Sequence, residues 1–258
     1  MSEQIEKDKI EKDKIYNCDC LEGMKHIPND AVAMVITSPP YNFNLRIHYG
    51  EYGGWCDKDP NKYGGMMNDR LPMDEYFKWQ CDCIREMLRI SQGLVFYNIQ
   101  MITGNKVALC KILGEFAEQV KEVIIWDKKT AEPAINEGVL NSQFEYIIVF
   151  DKANAIARQF KTFNAARGTV TNVWAIGKNT ERNIENHGAM FPVDLPRKII
   201  HLFTNENDTV LDPFMGSGTT AVACIKEKRH FIGFELNKDY YDKACRRIDA
   251  ERRQLSLF

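Results

Sequence analysis

Two short strings, each directly after an apolar run, constrain the fold of this chain most. Residues 37–41 (TSPPY) follow the apolar run 31–36, and residues 212–220 (DPFMGSGTT) follow the apolar run 209–211. Short apolar runs that end in a turn are typical of strands buried on both faces of a parallel sheet. Open α/β sheets place their ligands at the carboxyl ends of such strands. Both strings are therefore predicted to lie at one edge of a single sheet.

Strand-like and helix-like segments alternate along the chain. This alternation predicts an α/β fold with a doubly wound, mostly parallel sheet. A length of 258 residues suits one large domain. We expect a charged extension over 1–14 and a single domain over 15–258. The predicted strands are 31–36, 94–97, 122–126, 144–150, 209–211 and 231–234, and the predicted helices are 74–90, 107–116, 191–203, 219–228 and 240–253.

Composition limits the class of protein. The first 15 residues are charged, and no apolar stretch approaches the roughly 18 residues that a membrane-spanning helix needs. We therefore expect a cytoplasmic protein that does not associate with membranes. The eight cysteines form no C-x-x-C pair, so reduced thiols are expected and no metal site is predicted. The net charge of -2 does not favour nucleic-acid binding, although local charge can still support it.

The glycine-rich string predicts a site for a nucleoside cofactor. Gly216 and Gly218 permit a tight turn from strand to helix, where backbone N–H groups and the positive end of the helix face a ligand. Glu235 closes the next strand and is placed to accept hydrogen bonds from ribose hydroxyls. The same turn satisfies G-x-G-x-x-A, so a nicotinamide or flavin site stays open. Asp212 favours a different cofactor, because an acid there suits an ammonium group and repels a pyrophosphate.

The TSPPY string is typical of a holder for a planar amino group. Pro39 and Pro40 stiffen the backbone, and we expect its carbonyls to face outward without partners. The Ser38 hydroxyl and the Pro39 carbonyl can both accept hydrogen bonds from an exocyclic NH2, and Tyr41 offers a flat face for stacking. Two acceptors localise the lone pair of the amine, which can then attack a sulfonium methyl group in line. A base in duplex DNA must first be flipped out.

Together these residues resemble the amino-group DNA methyltransferases, which modify N4 of cytosine or N6 of adenine. The resemblance extends from about Tyr16 onward. TSPPY is similar to the catalytic motif of that family, which implies that Ser38, Pro39, Pro40 and Tyr41 are the catalytic residues. DPFMGSGTT resembles the cofactor motif, and residues 233–236 (GFEL) resemble the segment with the ribose-binding acid.

The resemblance implies S-adenosylmethionine as the cofactor. Residues 17–21 resemble the element that contacts the cofactor adenine, with Asn17 where a glycine is usual, and residues 187–192 (HGAMFP) resemble the segment that closes over the cofactor. The implied cofactor-binding residues are Asp19, Cys20, Thr37, Phe191, Asp212, Phe214, Gly216, Ser217, Gly218, Thr219, Glu235 and Leu236.

Motif order resembles the permuted β class, in which the catalytic motif comes first and the cofactor motif last. On that pattern residues 151–186 are the target-recognition region. Residues 152–182 carry six basic side chains and one acid, a net charge of +5 that suits double-stranded DNA. The expected DNA-binding residues are Arg158, Lys161, Arg167, Lys178 and Arg182.

The resemblance suggests further partners, and the length, glycines and aromatic residues of one loop suggest a further functional element. A cognate restriction endonuclease and a second copy of the chain are candidate partners. The long aromatic loop 43–72 is hypothesised to close over the flipped base or to contact the DNA backbone.

Several functions remain open on the residues alone. Ser38 is the form usual among cytosine-N4 enzymes, so N4 of cytosine is favoured and N6 of adenine is the alternative. An RNA or protein methyltransferase, a nicotinamide-dependent oxidoreductase and an inactive DNA-binding module are the other readings. Relatives that methylate protein or ribosomal RNA place a similar string after the cofactor motif, so the order here argues against them.

Overall fold

The computed structural model describes residues 10–42, 71–132, 137–153, 155–178 and 191–255, which form one sheet with helices on both faces. The strands are β1 Lys14–Tyr16, β2 Val32–Thr37, β3 Ser91–Ile99, β4 Val120–Glu132, β5 Ser142–Asp151, β6 Val173–Ala175, β7 Thr209–Asp212 and β8 His230–Phe234. The helices are α1 Cys20–Met24, α2 Met73–Ile90, α3 Lys106–Glu115, α4 Asp194–Phe203, α5 Thr219–Lys226 and α6 Lys238–Leu255.

Strand order places the two sequence strings side by side. The order is β1-β8-β7-β2-β3-β5-β4-β6, and the only antiparallel pairings join β5 to β3 and to β4 among the described residues. From β2 the chain continues outward to β3, whereas from β7 it continues in the opposite direction to β8. The crevice between β2 and β7 is therefore the topological switch point, where ligands bind in open α/β sheets.

The predicted α/β fold with a mostly parallel, doubly wound sheet is confirmed. Each predicted strand and helix is present, with ends that differ by a few residues. Helix α1 and strands β1 and β6 were not predicted, and the sheet already begins at Lys14, the last residue of the predicted extension. Residues 1–9 and most of the predicted loop 43–72 lie outside the described residues.

Two apolar layers hold the helices against the sheet. Helices α1, α2 and α3 pack on one face around Tyr97 and Phe150, and α4, α5 and α6 pack on the other around Phe96. In α2, apolar residues recur every three or four positions, so one side of the helix is buried while its acids and bases face solvent. No helix in the described part of the chain has an apolar stretch long enough to cross a membrane.

Gly23 marks a place where backbone and sheet approach closely. A Cβ built on Gly23 in α1 would lie 2.3–2.7 Å from ring atoms of Phe234 in β8. The ring is itself fully buried, so it has little room to move. This approach seats α1 on the sheet beside the end of β1.

We predict that Gly23→Ala lowers the free energy of unfolding by about 1–3 kcal/mol, because the new methyl group overpacks this contact. Gly114→Ala is the matched control. Its Cβ meets nothing within 4 Å, so an alanine in α3 should be neutral or stabilise by about 0.5–1 kcal/mol. Urea denaturation of both variants measures the difference, and equal stabilities would contradict the close packing of α1.

Candidate active site

A buried hydrogen bond joins the two sequence strings. The Thr37 hydroxyl, at the end of β2, donates to Asp212 Oδ1, at the end of β7, over 2.9 Å. Both residues are buried, and their strands are neighbours in the sheet. The start of the TSPPY string is thus fixed against the start of the DPFMGSGTT string.

Asp212 also organises the glycine-rich turn. Its Oδ1 accepts from the Phe214 N–H at 3.0 Å, and its Oδ2 accepts from the Thr220 hydroxyl at 2.5 Å. Burial raises the pKa of the Asp212 carboxyl to about 6, although these hydrogen bonds oppose the rise. Both oxygens already serve internal donors, so the first role of this acid is to shape the turn. Its contact with a cofactor ammonium group stays a prediction.

The turn itself requires glycine. Gly216 and Gly218 have φ angles of 55° and 85°, in the left-handed region that favours glycine. A Cβ on Gly218 would lie 3.2 Å from the Ala244 side chain of α6. Arg247, one turn further along α6, donates to the Thr219 hydroxyl at 3.0 Å and lies 3.5 Å from the Ser217 carbonyl oxygen. The packing of α6 therefore holds the turn that starts α5.

Glu235 closes the neighbouring strand and reaches the same turn. Its Oε2 accepts from the Gly216 N–H and its Oε1 from the Asn237 N–H, both at 2.8 Å. Burial raises the pKa of this carboxyl to about 7, against the effect of the two N–H donors. Asn17, which departs from the usual glycine, donates to the backbone carbonyls of Glu235 and Leu236 at 2.8 and 3.1 Å. This amide ties the end of β1 to the end of β8.

The remaining predicted cofactor residues lie at the same edge or support it. Asp19 caps α1 by accepting from the Leu21 and Glu22 N–H groups at 2.9 and 3.1 Å. The buried Cys20 thiol lies 3.9 Å from the Cys83 sulfur of α2. The Phe214 ring meets the Trp79 ring edge-on, with centroids 5.6 Å apart. Phe191 and Leu236 are half-buried, so part of each side chain stays accessible.

The TSPPY string ends in a polar cluster that the sequence did not reveal. The Tyr41 hydroxyl donates to Glu145 Oε2 at 2.8 Å and lies 3.0 Å from Ser38 Oγ. Asn98 Nδ2 donates to the Tyr41 hydroxyl and to Glu145 Oε2, both at 2.8 Å. Lys128 Nζ lies 3.3 Å from Glu145 Oε1. Burial and the nearby Glu145 raise the pKa of the Tyr41 phenol well above its usual value.

Glu145 and Asn98 carried only a weak signal in the sequence. Glu145 interrupts the apolar strand β5 and Asn98 interrupts β3, and a polar residue within a buried strand is the pattern that could have marked them. Strand β5 runs antiparallel to β3, so Glu145 near its start lies at the carboxyl edge of the parallel strands. The pairing of β5 with β4 sets Glu145 opposite Trp126, close to Lys128.

One expectation about the proline backbone was wrong. The Pro40 carbonyl does not face outward without a partner, because it accepts a 2.8 Å hydrogen bond from the Tyr76 hydroxyl of α2. Asn42 adds a second anchor, donating to the carbonyls of Leu71 and Gly104 at 3.0 and 2.9 Å. The string is therefore held rigid by its neighbours as well as by its prolines.

The structure does not bring Arg158 to the TSPPY string. Lys121, near the start of β4, donates to the Ala157 carbonyl at 2.8 Å, and Arg158 lies 3.9 Å from the Glu122 carboxylate. The start of β4 is at the amino edge of the parallel strands, opposite the edge where the TSPPY string lies. Lys161 follows in the same stretch, next to Phe160, which packs on the last residue of α4.

The end of the basic segment returns to the carboxyl edge. Strand β6 pairs with β4 beside Trp126, and the Ile176 N–H donates to the Asp127 carbonyl at 3.0 Å. Lys178 follows directly and is half-buried, whereas Arg167 is exposed on the way. Arg182 lies outside the described residues. Among the predicted DNA-binding residues that the structure describes, Lys178 is the one that lies toward the carboxyl edge, where the TSPPY string ends.

The sequence comparison decides the family. The profile described as DNA methylase, for the N6 and N4 class, matches residues 32–246, which span both strings and the switch point. The chain belongs to the DNA methylase family. S-adenosylmethionine is the methyl donor of this family, so the nicotinamide reading of the glycine-rich turn is set aside.

Individual relatives agree with this assignment. The methylase is 32% identical to the type II methyltransferase M.BglI of Bacillus subtilis, over 93% of this chain and 87% of that protein. The structure is similar to that of PvuII DNA methyltransferase, described as cytosine-N4-specific, with a TM-score of 0.70, 19% identity and coverage of 93% and 87% of the two chains. It is also similar to the M1.HpyAVI complex with SAM, with a TM-score of 0.62, 25% identity and coverage of 91% and 98%.

Asp212 should make the stability of the cofactor-free methylase depend on pH. An aspartate in the unfolded chain has a pKa near 3.9, whereas burial raises the folded pKa of Asp212 to about 6. The folded state therefore holds more protons in this window, and the contribution of Asp212 to stability falls as pH rises from about 4 to 7. Relative to Asp212→Asn, the wild type should lose roughly 2–3 kcal/mol of unfolding free energy over that range.

Urea denaturation at several pH values measures this difference. The exposed Asp194 provides the matched control, and Asp194→Asn should show no comparable trend. A difference between wild type and Asp212→Asn that stays constant from pH 4 to 7 would contradict the raised pKa.

Proposed function

We propose that this methylase transfers a methyl group from S-adenosylmethionine to an exocyclic amino nitrogen of a base flipped out of double-stranded DNA, and that this nitrogen is N4 of cytosine. The hydrogen bond between Thr37 and Asp212 carries the proposal. It sets the end of the amino-group string directly beside the start of the donor turn. A nucleophile held by one string then lies next to a methyl group held by the other.

The donor side of the crevice suits the cofactor. Glu235 would accept from the ribose hydroxyls, and its burial at the end of β8 leaves a carboxylate facing the turn that holds Gly216. Asp19 and Cys20 would contact the adenine, and Asp212 with its turn would face the amino-acid part. Phe191, Phe214 and Leu236 would supply apolar contact. S-adenosylmethionine supplies an electrophilic methyl group on a sulfonium.

The acceptor side of the crevice suits a planar amine. Ser38 Oγ and the Pro39 carbonyl would accept from the two amino hydrogens, which localises the nitrogen lone pair for attack. Pro40 keeps this backbone in place through its contact with Tyr76. Tyr41 would pack against the flipped base through its ring, while its hydroxyl stays inside the polar cluster.

The choice of N4 of cytosine is supported by Ser38 at the second position of TSPPY. A neutral hydroxyl at this position resembles cytosine-N4 enzymes, whereas an aspartate resembles adenine-N6 enzymes. N6 of adenine is the alternative, and the same donor and acceptor geometry would serve it.

We further infer that target recognition lies in residues 151–186 of the single domain, and that loop 43–72, most of which lies outside the described residues, closes over the flipped base or contacts the DNA backbone. The path of β6 supports this for the end of the segment, because it leads Lys178 to the catalytic edge. Arg158 and Lys161 receive no such support, because they lie near the opposite edge. Arg167 and Arg182 remain candidate phosphate contacts.

The decisive experiment is transfer of a labelled methyl group to plasmid DNA, with total RNA and a protein extract as parallel acceptors. Digestion of the product to nucleosides identifies the base. We expect N4-methylcytosine in DNA alone. The Ser38→Ala variant should retain only a small residual transfer activity. N6-methyladenine would select the alternative base, and label confined to RNA or protein would overturn the proposal.

Glu235→Ala should weaken S-adenosylmethionine binding by about 1–3 kcal/mol, as expected for lost hydrogen bonds to a charged group. Calorimetry measures the dissociation constant. Glu206→Ala, which removes an exposed acid paired with Lys228, is the control and should bind normally. An unchanged dissociation constant in Glu235→Ala would remove Glu235 from the donor site.

A further inference from the structure

A buried ion pair stands directly behind the catalytic string. Glu145 and Lys128 are 8% and 4% exposed, and their charged atoms lie 3.3 Å apart. A buried pair of this kind rarely adds to stability, because desolvation offsets the attraction between the charges. Its position at the substrate edge of the sheet therefore calls for a functional explanation.

The hydrogen bonds in this cluster have a defined direction. The Tyr41 phenol keeps its proton, since burial and Glu145 raise its pKa, and it donates that proton to Glu145 Oε2. The Tyr41 oxygen then serves as acceptor for Asn98 Nδ2 at 2.8 Å and for Ser38 Oγ at 3.0 Å. The Ser38 hydroxyl proton points to Tyr41, so Ser38 Oγ can accept a hydrogen bond from an incoming amino group.

We propose that Glu145 is the final acceptor of the proton that the target amino group must release, and that Ser38 and Tyr41 relay that proton. This role rests on the proposed function. In it, Glu145 acts through Tyr41 and Ser38 and is a positioning residue for them. The two contacts of the relay, 3.0 and 2.8 Å, are both short enough for proton transfer along a hydrogen bond.

The step balances in atoms and charge. The amino nitrogen uses its lone pair to bond the methyl carbon, and the carbon–sulfur bond breaks with its electron pair left on sulfur. The nitrogen now carries one proton too many. That proton passes to Ser38 Oγ, the Ser38 proton passes to the Tyr41 oxygen, and the Tyr41 proton passes to Glu145. One cation and one carboxylate become a neutral thioether and a neutral carboxylic acid, and Glu145 returns its proton to solvent after product release.

Lys128 and Asn98 set the conditions for this relay. Lys128 places a positive charge 3.3 Å from the Glu145 carboxylate, which offsets part of the cost of burying that acid. Asn98 Nδ2 donates its two hydrogens to Glu145 and Tyr41, each at 2.8 Å, and lies 3.4 Å from Ser38 Oγ. Because Asn98 Nδ2 only donates, it cannot reverse the direction of the hydrogen bonds that run from Ser38 through Tyr41 to Glu145.

The test is the pH profile of single-turnover methyl transfer at saturating cofactor and DNA. Glu145→Gln keeps an acceptor for Tyr41 but cannot take up a proton, and Tyr41→Phe interrupts the relay. We expect each to lower the rate about 10²-fold, the size of a general-base effect. Each should also show a weaker acid limb, the fall in rate toward low pH, than the wild type. Acid limbs from Asp212 and Glu235 are common to all variants, so the difference isolates Glu145.

Two controls separate the relay from simple structural damage. Tyr97→Phe removes a buried phenol of the same sheet, which donates to Gln80 at 2.7 Å, and should keep the wild-type profile. Because Glu145→Gln leaves Lys128 buried without a charge partner, the variant Glu145→Gln with Lys128→Met restores neutrality. It should fold like the wild type and still react slowly with the weaker acid limb.

A double variant gives the strictest outcome. If Glu145 and Tyr41 act in one chain, Glu145→Gln combined with Tyr41→Phe should cost no more in rate than either change alone. The same non-additivity should appear in urea denaturation of the cofactor-free proteins, where no chemistry occurs. Additive rate losses, or an unaltered acid limb in Glu145→Gln, would overturn the relay. Absence of methyl transfer by the wild type would instead overturn the proposed function.

Discussion

The buried carboxylate of Asp212 is the interaction on which the site depends. It accepts hydrogen bonds from Thr37 at the end of β2, and from Phe214 and Thr220 on either side of the glycine-rich turn. One side chain therefore fixes the spacing between the TSPPY string and the glycine-rich turn. Methyl transfer in line tolerates little misplacement of nucleophile and donor, so a short, dehydrated contact at the base of the crevice is an effective way to set that distance. The raised pKa of Asp212 reflects the cost of that dehydration.

The sequence was most informative where its signal was local. The period of α2 and the apolar runs of β2 and β7 needed only neighbouring residues to be recognised. Strand β6 could not be found in this way, because three residues with only the central Trp174 buried carry no period. Glu145 was missed for a different reason. Its partner Tyr41 lies 104 positions away, and only the antiparallel course of β5 brings the two together.

That single reversed strand changes what the catalytic edge can contain. In a fully parallel sheet, each strand contributes to this edge only the residues at its carboxyl end. Strand β5 instead offers residues near its start, which pair with β4 and, from Tyr146 onward, also with β3. An acid on a doubly paired strand is held more rigidly than one on a loop. The polar cluster around Tyr41 gains this rigidity, while the basic segment that begins after β5 is left near the far edge and must return along β6.

The pairing of β1 with β8 has a consequence for synthesis of the protein on the ribosome. The side-chain amide of Asn17, after β1, donates to the backbone carbonyl of Glu235, after β8, across 218 positions of the chain. During translation TSPPY emerges early, whereas the proposed donor pocket is complete only after β8 has been made and has joined β1. Contacts between such distant residues also form late in folding. On the proposed function, a partly synthesised methylase is therefore inactive, and the ability to modify DNA is gained in one of the last steps of folding.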